Sequence, residues 1–482
     1  MNSSDGSWLW SAVLLLAAAA CGGDPPKTTR IVGPTASPVA SASEAPVSVD
    51  HVALARAFVE HLAKSELEPA LAALSPELQK KVDAPTLASV WALKKAGGGD
   101  FVKIDSAALK PAEGGEAVTL HVALSNGTID VGLQFKFGKP EITGLQIQDA
   151  KTNFTSASYV DPSKFDATDV SIGEGDLALP GTLLTPKGAG PFPIVLLVNG
   201  SGGGDRDESI GPSKPFRDIA EGLASKGIAV LRWDKRTHDP KHVLALKIDL
   251  LDLTVKEEYL DDFASALKVA SSAKGVDPKR VFVLGHSEGG WLAPWLVKLH
   301  PDIKGAIVLA GNARHFSDIF VSQAEYLLTA DDGKLSDDDK AKVEAVKKQV
   351  AIAKDPKTPR EEPMKSFPFG IGPAKYWRSL DGYDAVATAK GLSQPFLVLQ
   401  GGRDYQVTEK DDYALWKSGL GSKKGAEFQL FPKLNHAFCA GEGMATPNEY
   451  LTLSGHVDEP VIKAIAAFVD KPASSASPFG KR

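Results

Sequence analysis

The sequence contains little cysteine and no excess of positive charge, and each absence excludes a class of binding site. Only two cysteines, Cys21 and Cys439, occur among 482 residues. Neither belongs to a Cys-x-x-Cys pair or to a Cys/His group with zinc spacing, so we expect no structural metal site. The formal net charge is -6, with acidic and basic residues interspersed. Because nucleic acids bind basic surfaces, we expect no nucleic-acid partner.

The apolar run near the beginning of the chain is too short to cross a membrane. It extends from Trp8 to Ala20, whereas a spanning helix needs roughly 20 apolar residues. Its length is typical of a signal-peptide core, and its small residues before Cys21 resemble a bacterial lipoprotein cleavage site. We therefore expect residues 1–21 to be a signal peptide and Cys21 to be lipidated. The protein would then be exported and membrane-anchored. An ordinary secretory signal is the alternative, since Asp5 is the one charge before the run.

The composition then divides the remaining chain into three parts. Residues 22–49 are rich in Gly, Pro, Ser, Thr and Ala, which indicates a flexible linker. Residues 50–150 show helical spacing followed by alternating strands separated by glycine turns, which predicts a small α+β domain. Residues 165–472 alternate between strand and helix patterns. That alternation predicts an α/β domain whose mostly parallel sheet is covered by helices on both faces.

Within the α/β domain, residues 312–380 interrupt the alternation. This segment lies between two predicted strands and combines charged helical spacing with Pro, Phe and Tyr-Trp. Ligands bind at the carboxyl edge of open α/β sheets, where such an insertion would sit. We therefore interpret it as a helical cap that shapes a substrate pocket. The alternative is a surface excursion without contact to substrate.

Three finer expectations concern single elements. Apolar spacing predicts one helix from Pro69 to Leu78 in the small domain. It predicts another helix from Val255 to Ser271, and that helix would bury Leu260, Phe263, Ala264 and Leu267. Asp411 and Asp412 fall on a predicted helix, where we expect them to be solvated.

A pentapeptide in the α/β domain has the pattern Gly-x-Ser-x-Gly. It comprises Gly285 to Gly289, follows the apolar run Val281 to Leu284 and precedes a helical stretch beginning at Trp291. A strand, a tight turn and a helix are the context of a nucleophile elbow. A serine on such a turn needs small neighbours, and the helix N-terminus offers N–H groups to an oxyanion. Ser287 is therefore the candidate nucleophile, although a plain connecting loop would share the glycines.

A serine nucleophile also requires a base and an acid that orients the base. In a sheet of this kind, the chain order is Ser, then Asp or Glu, then His. Asp404 lies in the loop that leaves the predicted strand Phe396 to Gln400. His436 lies in the loop that leaves the next strand, Glu427 to Phe431. We therefore predict a Ser287, Asp404 and His436 triad.

The oxyanion requires two backbone donors. One is the N–H of Glu288, directly after the nucleophile. The other belongs to the glycine-rich loop Asn199 to Asp207, where we predict Ser201 as the donor and Gly202 as the alternative. This loop lacks the Gly-Lys-Ser/Thr end of a phosphate-binding loop, so a nucleotide site is not expected.

Together these segments resemble the α/β-hydrolase superfamily over about residues 165–470. They are similar to bacterial esterase-like and dienelactone-hydrolase-like members in four stretches, which are Asn199 to Gly202, Asp205 to Asp207, Asp234 to Arg236 and Gly285 to Gly290. Asn199 stands where those members carry a histidine. Small α+β domains, cystatin-like or related, precede hydrolase domains in some exported bacterial proteins, which implies a binding or assembly role for residues 50–150.

The resemblance implies a serine hydrolase that cleaves small-molecule carboxylic esters through an acyl-enzyme. No metal or organic cofactor is implied, and the membrane would be contacted only through a lipid at Cys21. A peptidase, a thioesterase or an acyltransferase would use the same triad. A tethered binding protein without activity is an alternative of another class, and the complete set Ser287, Asp404 and His436 argues against it.

Overall fold

The structure is a computed structural model that describes most of the chain after residue 48. The described residues are 49–84, 86–88, 90–91, 94, 100–112, 114–125, 127–147, 151–152, 154–329, 333–359, 374–443, 445–446, 449–450 and 455–471. The expected signal peptide with Cys21, and the linker up to residue 48, lie outside them. The described residues form two compact units, which divide after residue 153. Within these ranges, no helix combines the length and the apolar character that a bilayer span requires.

The first unit packs helices against an antiparallel meander. Its elements are α1 (His51–Ala63), α2 (Leu67–Ala72), α3 (Pro76–Gln79), β1 (Phe101–Ala112), β2 (Gly115–Leu124), β3 (Gly127–Lys136), β4 (Ile142–Ile147) and β5 (Lys151–Thr152). The strands lie in the order β1-β2-β3-β4, and β5 pairs with β3. Phe58 and Leu62 on α1 share a core with Leu120 and Leu133 on the sheet. Burial of these apolar faces is the main stabilising term of the unit.

The prediction of a single helix from Pro69 to Leu78 is wrong, because the helical backbone is interrupted at Ser75. Pro76 disfavours helical backbone at the preceding residue, and Ser75 is extended with φ -64° and ψ 154°. The Ser75 N–H donates to the Ile142 carbonyl at 2.8 Å instead of to a helical carbonyl. Its hydroxyl accepts from the Leu78 N–H and so caps α3. Apolar periodicity alone missed this break.

The second unit contains one mixed sheet with helices on both faces. Its strands are β6 (Phe165–Ile172), β7 (Leu179–Pro186), β8 (Phe192–Val198), β9 (Ala229–Trp233), β10 (Val276–His286), β11 (Gly305–Leu309), β12 (Phe396–Gly401) and β13 (Ala426–Phe431). They lie in the order β13-β12-β11-β10-β8-β9-β7-β6. Strands β8 to β13 are parallel, whereas β6 and β7 form an antiparallel hairpin at one edge. The expected mostly parallel α/β fold is therefore confirmed.

Helices cover both faces of this sheet. They are α4 (Pro215–Ala224), α5 (Pro240–Leu244), α6 (Asp261–Ser272), α7 (Glu288–Leu299), α8 (Phe316–Leu328), α9 (Asp337–Lys354), α10 (Ala374–Ser379), α11 (Ala385–Gly391), α12 (Ala414–Leu420) and α13 (Glu459–Val469). One core contains Phe263, Trp291 and Trp416 from α6, α7 and α12. The opposite core contains Phe216 from α4 and Ile462 from α13. Strands buried on both sides explain the continuous apolar runs in the sequence.

The strand order reverses beside β8, and this reversal positions the functional loops. After β8 the chain passes to β9 on one side, and it later returns as β10 on the other side. The loops that leave β8 and β10 therefore lie next to each other at the carboxyl edge. This is the location at which open α/β sheets bind their ligands.

The face expected for the helix after Val255 is confirmed in part, since Phe263 is buried and Leu260 and Leu267 pack against the core while partly exposed. A π-helical turn, Lys256–Leu260, leads into α6, and the face that enters the core carries Tyr259, Phe263, Ala266 and the carboxylates Glu258 and Asp262. Asp262 accepts from two of the three nitrogens of the Arg236 guanidinium, Nε and Nη2. Hydrophobic spacing cannot predict a face whose carboxylates are buried through ion pairs.

The cap segment is anchored to the sheet by a buried carboxylate, and the expectation that Asp412 is solvated is also wrong. Helices α8, α9 and α10 fall within the predicted cap, of which residues 330–332 and 360–373 lie outside the described residues. Asp412 is 0% exposed. It accepts hydrogen bonds from the Ala313 N–H at 3.0 Å and from the Arg314 guanidinium at 2.7 Å. A carboxylate from the β12–α12 connection thus fixes the beginning of the cap.

We predict that Asp412→Asn destabilises the second unit by about 3 kcal/mol, because it removes the charge that compensates a buried guanidinium contact. Urea denaturation followed by tryptophan fluorescence measures this change. The matched control is Asp411→Asn, since Asp411 is half-buried and its carboxylate bonds only to Thr408 among the described residues. Equal stability losses in the two variants would contradict the anchoring role of Asp412.

Candidate active site

Ser287 lies on a sharp turn between β10 and α7. Its backbone has φ 52° and ψ -120°, a left-handed conformation that residues with a Cβ rarely adopt. Its N–H donates to the Leu309 carbonyl on the neighbouring strand β11 at 2.9 Å. Such strain persists only where the surrounding structure enforces it, and it concentrates at functional sites. The turn is the geometry expected of a nucleophile elbow.

The glycines of the elbow permit a backbone approach that no side chain would allow. A Cβ placed on Gly289 would lie 2.5 Å from the Asn199 carbonyl oxygen, just beyond the end of β8. A Cβ on Gly290 would lie 2.9 Å from the Gly311 Cα, just beyond β11. The first turn of α7 therefore packs directly against the ends of two strands. This contact holds Ser287 at the carboxyl edge of the sheet.

Asp404 and His436 form a buried hydrogen-bonded pair. Asp404 Oδ2 accepts from His436 Nδ1 at 2.7 Å. The other oxygen of Asp404 accepts from the Gln406 N–H at 2.8 Å and from the Val407 N–H at 3.0 Å. Donors on both oxygens orient the carboxylate. The bond holds the imidazole through Nδ1, as the acid of a triad does.

His286 ties the histidine loop to the elbow. Its Nε2 lies 2.9 Å from the His436 carbonyl oxygen, and the two imidazole rings have centroids 4.6 Å apart. Its Nδ1 lies 3.0 Å from Glu208 Oε1. Burial opposes protonation of His286, but the Glu208 carboxylate, the His436 carbonyl and Asp404 together outweigh it and raise the pKa of the imidazole. His286, the residue before the nucleophile, therefore holds the loop of His436 in place. Ser287 itself is half-buried.

A second network joins the loop of the acid to the loop of the base. Arg403 forms two hydrogen bonds with the Glu449 carboxylate, at 2.9 and 2.6 Å. Glu449 also accepts from the Asn435 side-chain amide at 2.8 Å. Asn435 Oδ1 in turn accepts from two N–H groups of its own loop. The residues directly before Asp404 and His436 are thus linked, which restricts their separation.

The loop after β8 lies against the nucleophile. A Cβ on Gly200 would lie 3.1 Å from the Ser287 Cβ, so glycine allows a close approach at this position. The Gly200 N–H donates to Glu208 Oε1 at 2.7 Å. The Asn199 amide donates to the Asp205 carbonyl at 2.7 Å, so this residue bonds within the loop in place of the family's histidine.

Within the described residues, no hydrogen bond uses the N–H group of either predicted oxyanion donor. Glu288 is the first residue of α7, where helical N–H groups lack carbonyl partners. Ser201 follows Gly200 in the loop and is exposed. Their assignment as oxyanion donors stays a prediction, and so does the catalytic role of Ser287, Asp404 and His436.

The charged residues of the loops after β8 and β9 are held in ion pairs. Arg206 donates to both carboxylate oxygens of Asp234, at 2.9 and 3.1 Å. Lys214 donates to Asp207 at 2.8 Å. Paired guanidinium and carboxylate groups of fixed geometry restrict the loops that carry them. These charges therefore support the site instead of facing a polar substrate.

A buried polar cluster surrounds the side chain of Glu288, which is 1% exposed. Tyr376 of the cap helix α10 donates to Glu288 Oε1 at 2.8 Å, and the Tyr259 hydroxyl lies 3.0 Å from Oε2. Lys235 Nζ donates to the Tyr259 oxygen at 2.6 Å and lies 3.0 Å from Glu258. Burial raises the pKa of Glu288, although the Lys235 ammonium opposes this shift.

The sequence reasoning missed four residues that contact the site. They are Glu208, Glu258, Tyr259 and Glu449, and three of them are acids that polar patterns assign to the surface. A weak signal existed for Glu208, because it directly follows the Asp-Arg-Asp stretch that the resemblance singles out. None existed for Glu449, whose partners Arg403 and Asn435 lie on different loops.

Comparisons with known proteins identify sequences and solved structures that are similar to this chain. The profile of the family described as serine aminopeptidase, S33, matches residues 210–442. The esterase EstD of Thermotoga maritima is 36% identical over 427 residues, which cover 86% of this chain and 94% of EstD. The solved Pyrococcus furiosus esterase PF2001 is 14% identical, with a TM-score of 0.39 over 63% of this chain and 90% of that one. The acylaminoacyl peptidase of Pyrococcus horikoshii is 14% identical, with a TM-score of 0.42 over 77% of this chain and 55% of that one.

The sheet order and the strained elbow define an α/β-hydrolase. Since the similarity to EstD extends over nearly the whole length of that relative, the chain belongs to the serine hydrolase and esterase family of this fold.

We predict that Gly289→Ala disrupts the elbow, because the new Cβ would meet the Asn199 carbonyl. The free energy of unfolding should fall by about 1–3 kcal/mol, as for overpacked sites. Labelling of Ser287 by a fluorophosphonate probe should also be slower. Thermal unfolding and labelling rates measure the two effects. Gly391→Ala is the control, since a Cβ on Gly391 meets nothing within 4 Å. A Gly289→Ala variant with unchanged stability and labelling would contradict the account of the elbow.

Proposed function

We propose that this protein is a carboxylic ester hydrolase that uses Ser287 as nucleophile, His436 as general base and acid, and Asp404 as the group that orients His436. The observation that carries the proposal is the 2.7 Å bond between His436 Nδ1 and Asp404 Oδ2, on a loop bonded to the strained turn of Ser287 through His286. The esterase activity named for EstD supports the choice of substrate class.

In the proposed reaction, Ser287 Oγ attacks the ester carbonyl carbon while its proton passes to His436 Nε2. The N–H groups of Glu288 and Ser201 stabilise the oxyanion that forms. The bond to the alkoxide then breaks, and His436 delivers the proton to the leaving oxygen. Water attacks the acyl-enzyme with His436 as base, which releases the acid and restores Ser287. Asp404 keeps the proton of His436 on Nδ1 and stabilises the imidazolium.

A peptidase is the second candidate, because the matching family is described as serine aminopeptidases. The same triad would cleave an amide, with His436 protonating the leaving nitrogen. We favour ester hydrolysis since the relative named as an esterase matches far more of the chain. Parallel assays on p-nitroanilides and p-nitrophenyl esters with identical acyl groups separate the two candidates.

We predict turnover of p-nitrophenyl esters, with an acyl-length profile that reports the size of the pocket. Ser287→Ala should reduce kcat to the background rate, and Asp404→Asn should lower kcat by roughly 10³- to 10⁴-fold because the imidazole tautomer is no longer fixed. Ser272→Ala, at an exposed serine of α6, is the matched control and should keep full activity. Absence of turnover on every ester, in protein that is folded by circular dichroism, would contradict the proposal.

A further inference from the structure

Buried side chains contact both backbone polar groups of Gly200. Its carbonyl oxygen, in the peptide unit with Ser201, accepts from Lys235 Nζ at 3.0 Å and lies 2.8 Å from the Tyr259 hydroxyl. Its N–H, in the preceding peptide unit, donates to Glu208. A glycine in a loop has wide backbone freedom, so its peptide planes would otherwise rotate easily. The contacts of two side chains with one carbonyl restrict this freedom at the position that contacts Ser287.

Holding this carbonyl also sets the direction of the next N–H. The peptide bond between Gly200 and Ser201 is planar and trans, so the Gly200 C=O and the Ser201 N–H point in opposite directions. Donors that pull the carbonyl into the interior therefore turn the Ser201 N–H away from it. The Ser201 N–H is the second donor of the predicted oxyanion hole.

We propose that Lys235 and Tyr259 are positioning residues that aim the Ser201 N–H at the oxyanion by holding the Gly200 carbonyl. The inference rests on the proposed function and deepens it. Neither side chain touches the reacting atoms, and both act through one peptide plane.

The proton inventory of the cluster supports this assignment. The Lys235 ammonium has three protons, and its three acceptors are the Gly200 carbonyl, the Tyr259 oxygen and Glu258. Tyr259 has a single proton, which either the Gly200 carbonyl or Glu288 Oε2 can accept. Lys235 is 4% exposed, and an ammonium at that depth is retained only with such complete pairing. Two side chains remote in sequence thus converge on one carbonyl.

The test compares Tyr259→Phe with the protein of natural sequence and with Tyr383→Phe. Tyr383 is the matched control, because its hydroxyl also donates to a backbone carbonyl at 2.8 Å, that of Trp291 in the elbow helix α7. Active sites are first titrated with a fluorophosphonate, so that kcat is expressed per reactive serine. Tyr259→Phe should lower kcat about ten-fold with KM within about two-fold, less than the 10²- to 10³-fold cost of deleting an oxyanion donor. Tyr383→Phe should leave both parameters within about two-fold.

Lys235 is tested as the double variant Lys235→Met/Glu258→Gln, which removes both members of the ion pair, while Glu288 keeps its contacts with Tyr259 and Tyr376. It should lower kcat at least as much as Tyr259→Phe does. If the double variant does not fold, Tyr259→Phe alone decides the inference, since it removes one oxygen atom. An unchanged kcat per titrated site in Tyr259→Phe, or a loss confined to the number of titratable sites, would overturn the positioning role.

The rate of fluorophosphonate labelling separates failure of this inference from failure of the proposed function. The probe forms its own oxyanion at Ser287 and needs no ester substrate, so its labelling rate should also fall about ten-fold in Tyr259→Phe. Labelling of the natural protein with no slowing in Tyr259→Phe overturns the positioning role alone. No labelling of the natural protein at all overturns both proposals.

Discussion

The whole site depends on the direct packing of one helix turn against the ends of two strands. Gly289 meets the backbone that leaves β8, and Gly290 meets the backbone that leaves β11. No side chain separates these segments, so the turn between them must be tight, and Ser287 takes a left-handed backbone. Because residues 281–286 of β10 and 288–294 of α7, which flank the turn, are buried, the core resists relaxation of this turn. The strain at Ser287 is thus maintained by the packing that stabilises the sheet.

Around this fixed point, hydrogen bonds and ion pairs convert flexible loops into a defined arrangement. His286 bonds to the loop of His436, Glu449 connects the loops of Asp404 and His436, and Glu208 holds Gly200. The contacts of His286 with His436 and of Arg403 with Glu449 join segments that are distant in sequence. Several are buried, where charged partners interact strongly but must be fully paired. The resulting rigidity is what a preorganised oxyanion site requires.

The sequence predicted the α/β fold and the loops that carry the candidate residues, because these features have local signals. Apolar runs identify buried parallel strands, and each candidate residue directly follows such a run. The structure then brings Asp404 and His436 into contact. The break at Ser75 was also predictable in principle, since Pro76 restricts the residue before it.

The sequence could not predict features that depend on partners far along the chain. Asp412 is buried only because the Arg314 guanidinium and three backbone N–H groups meet it. The π-helical turn buries Glu258 and α6 buries Asp262 only because Lys235 and Arg236 lie opposite. Hydrophobic periodicity assigns such carboxylates to the protein surface. Which residues orient the oxyanion loop is likewise a three-dimensional property, visible only once Gly200, Lys235 and Tyr259 are in contact.

The most direct test of the account is the detection of a covalent acyl group on Ser287 during turnover. The protein is mixed with a p-nitrophenyl ester, quenched with acid within milliseconds and analysed by intact mass and peptide mapping. The account predicts one added acyl group, located on the peptide that contains Ser287 and absent in Ser287→Ala. Hydrolysis without any covalent adduct, or with the adduct on another residue, would contradict the proposed mechanism.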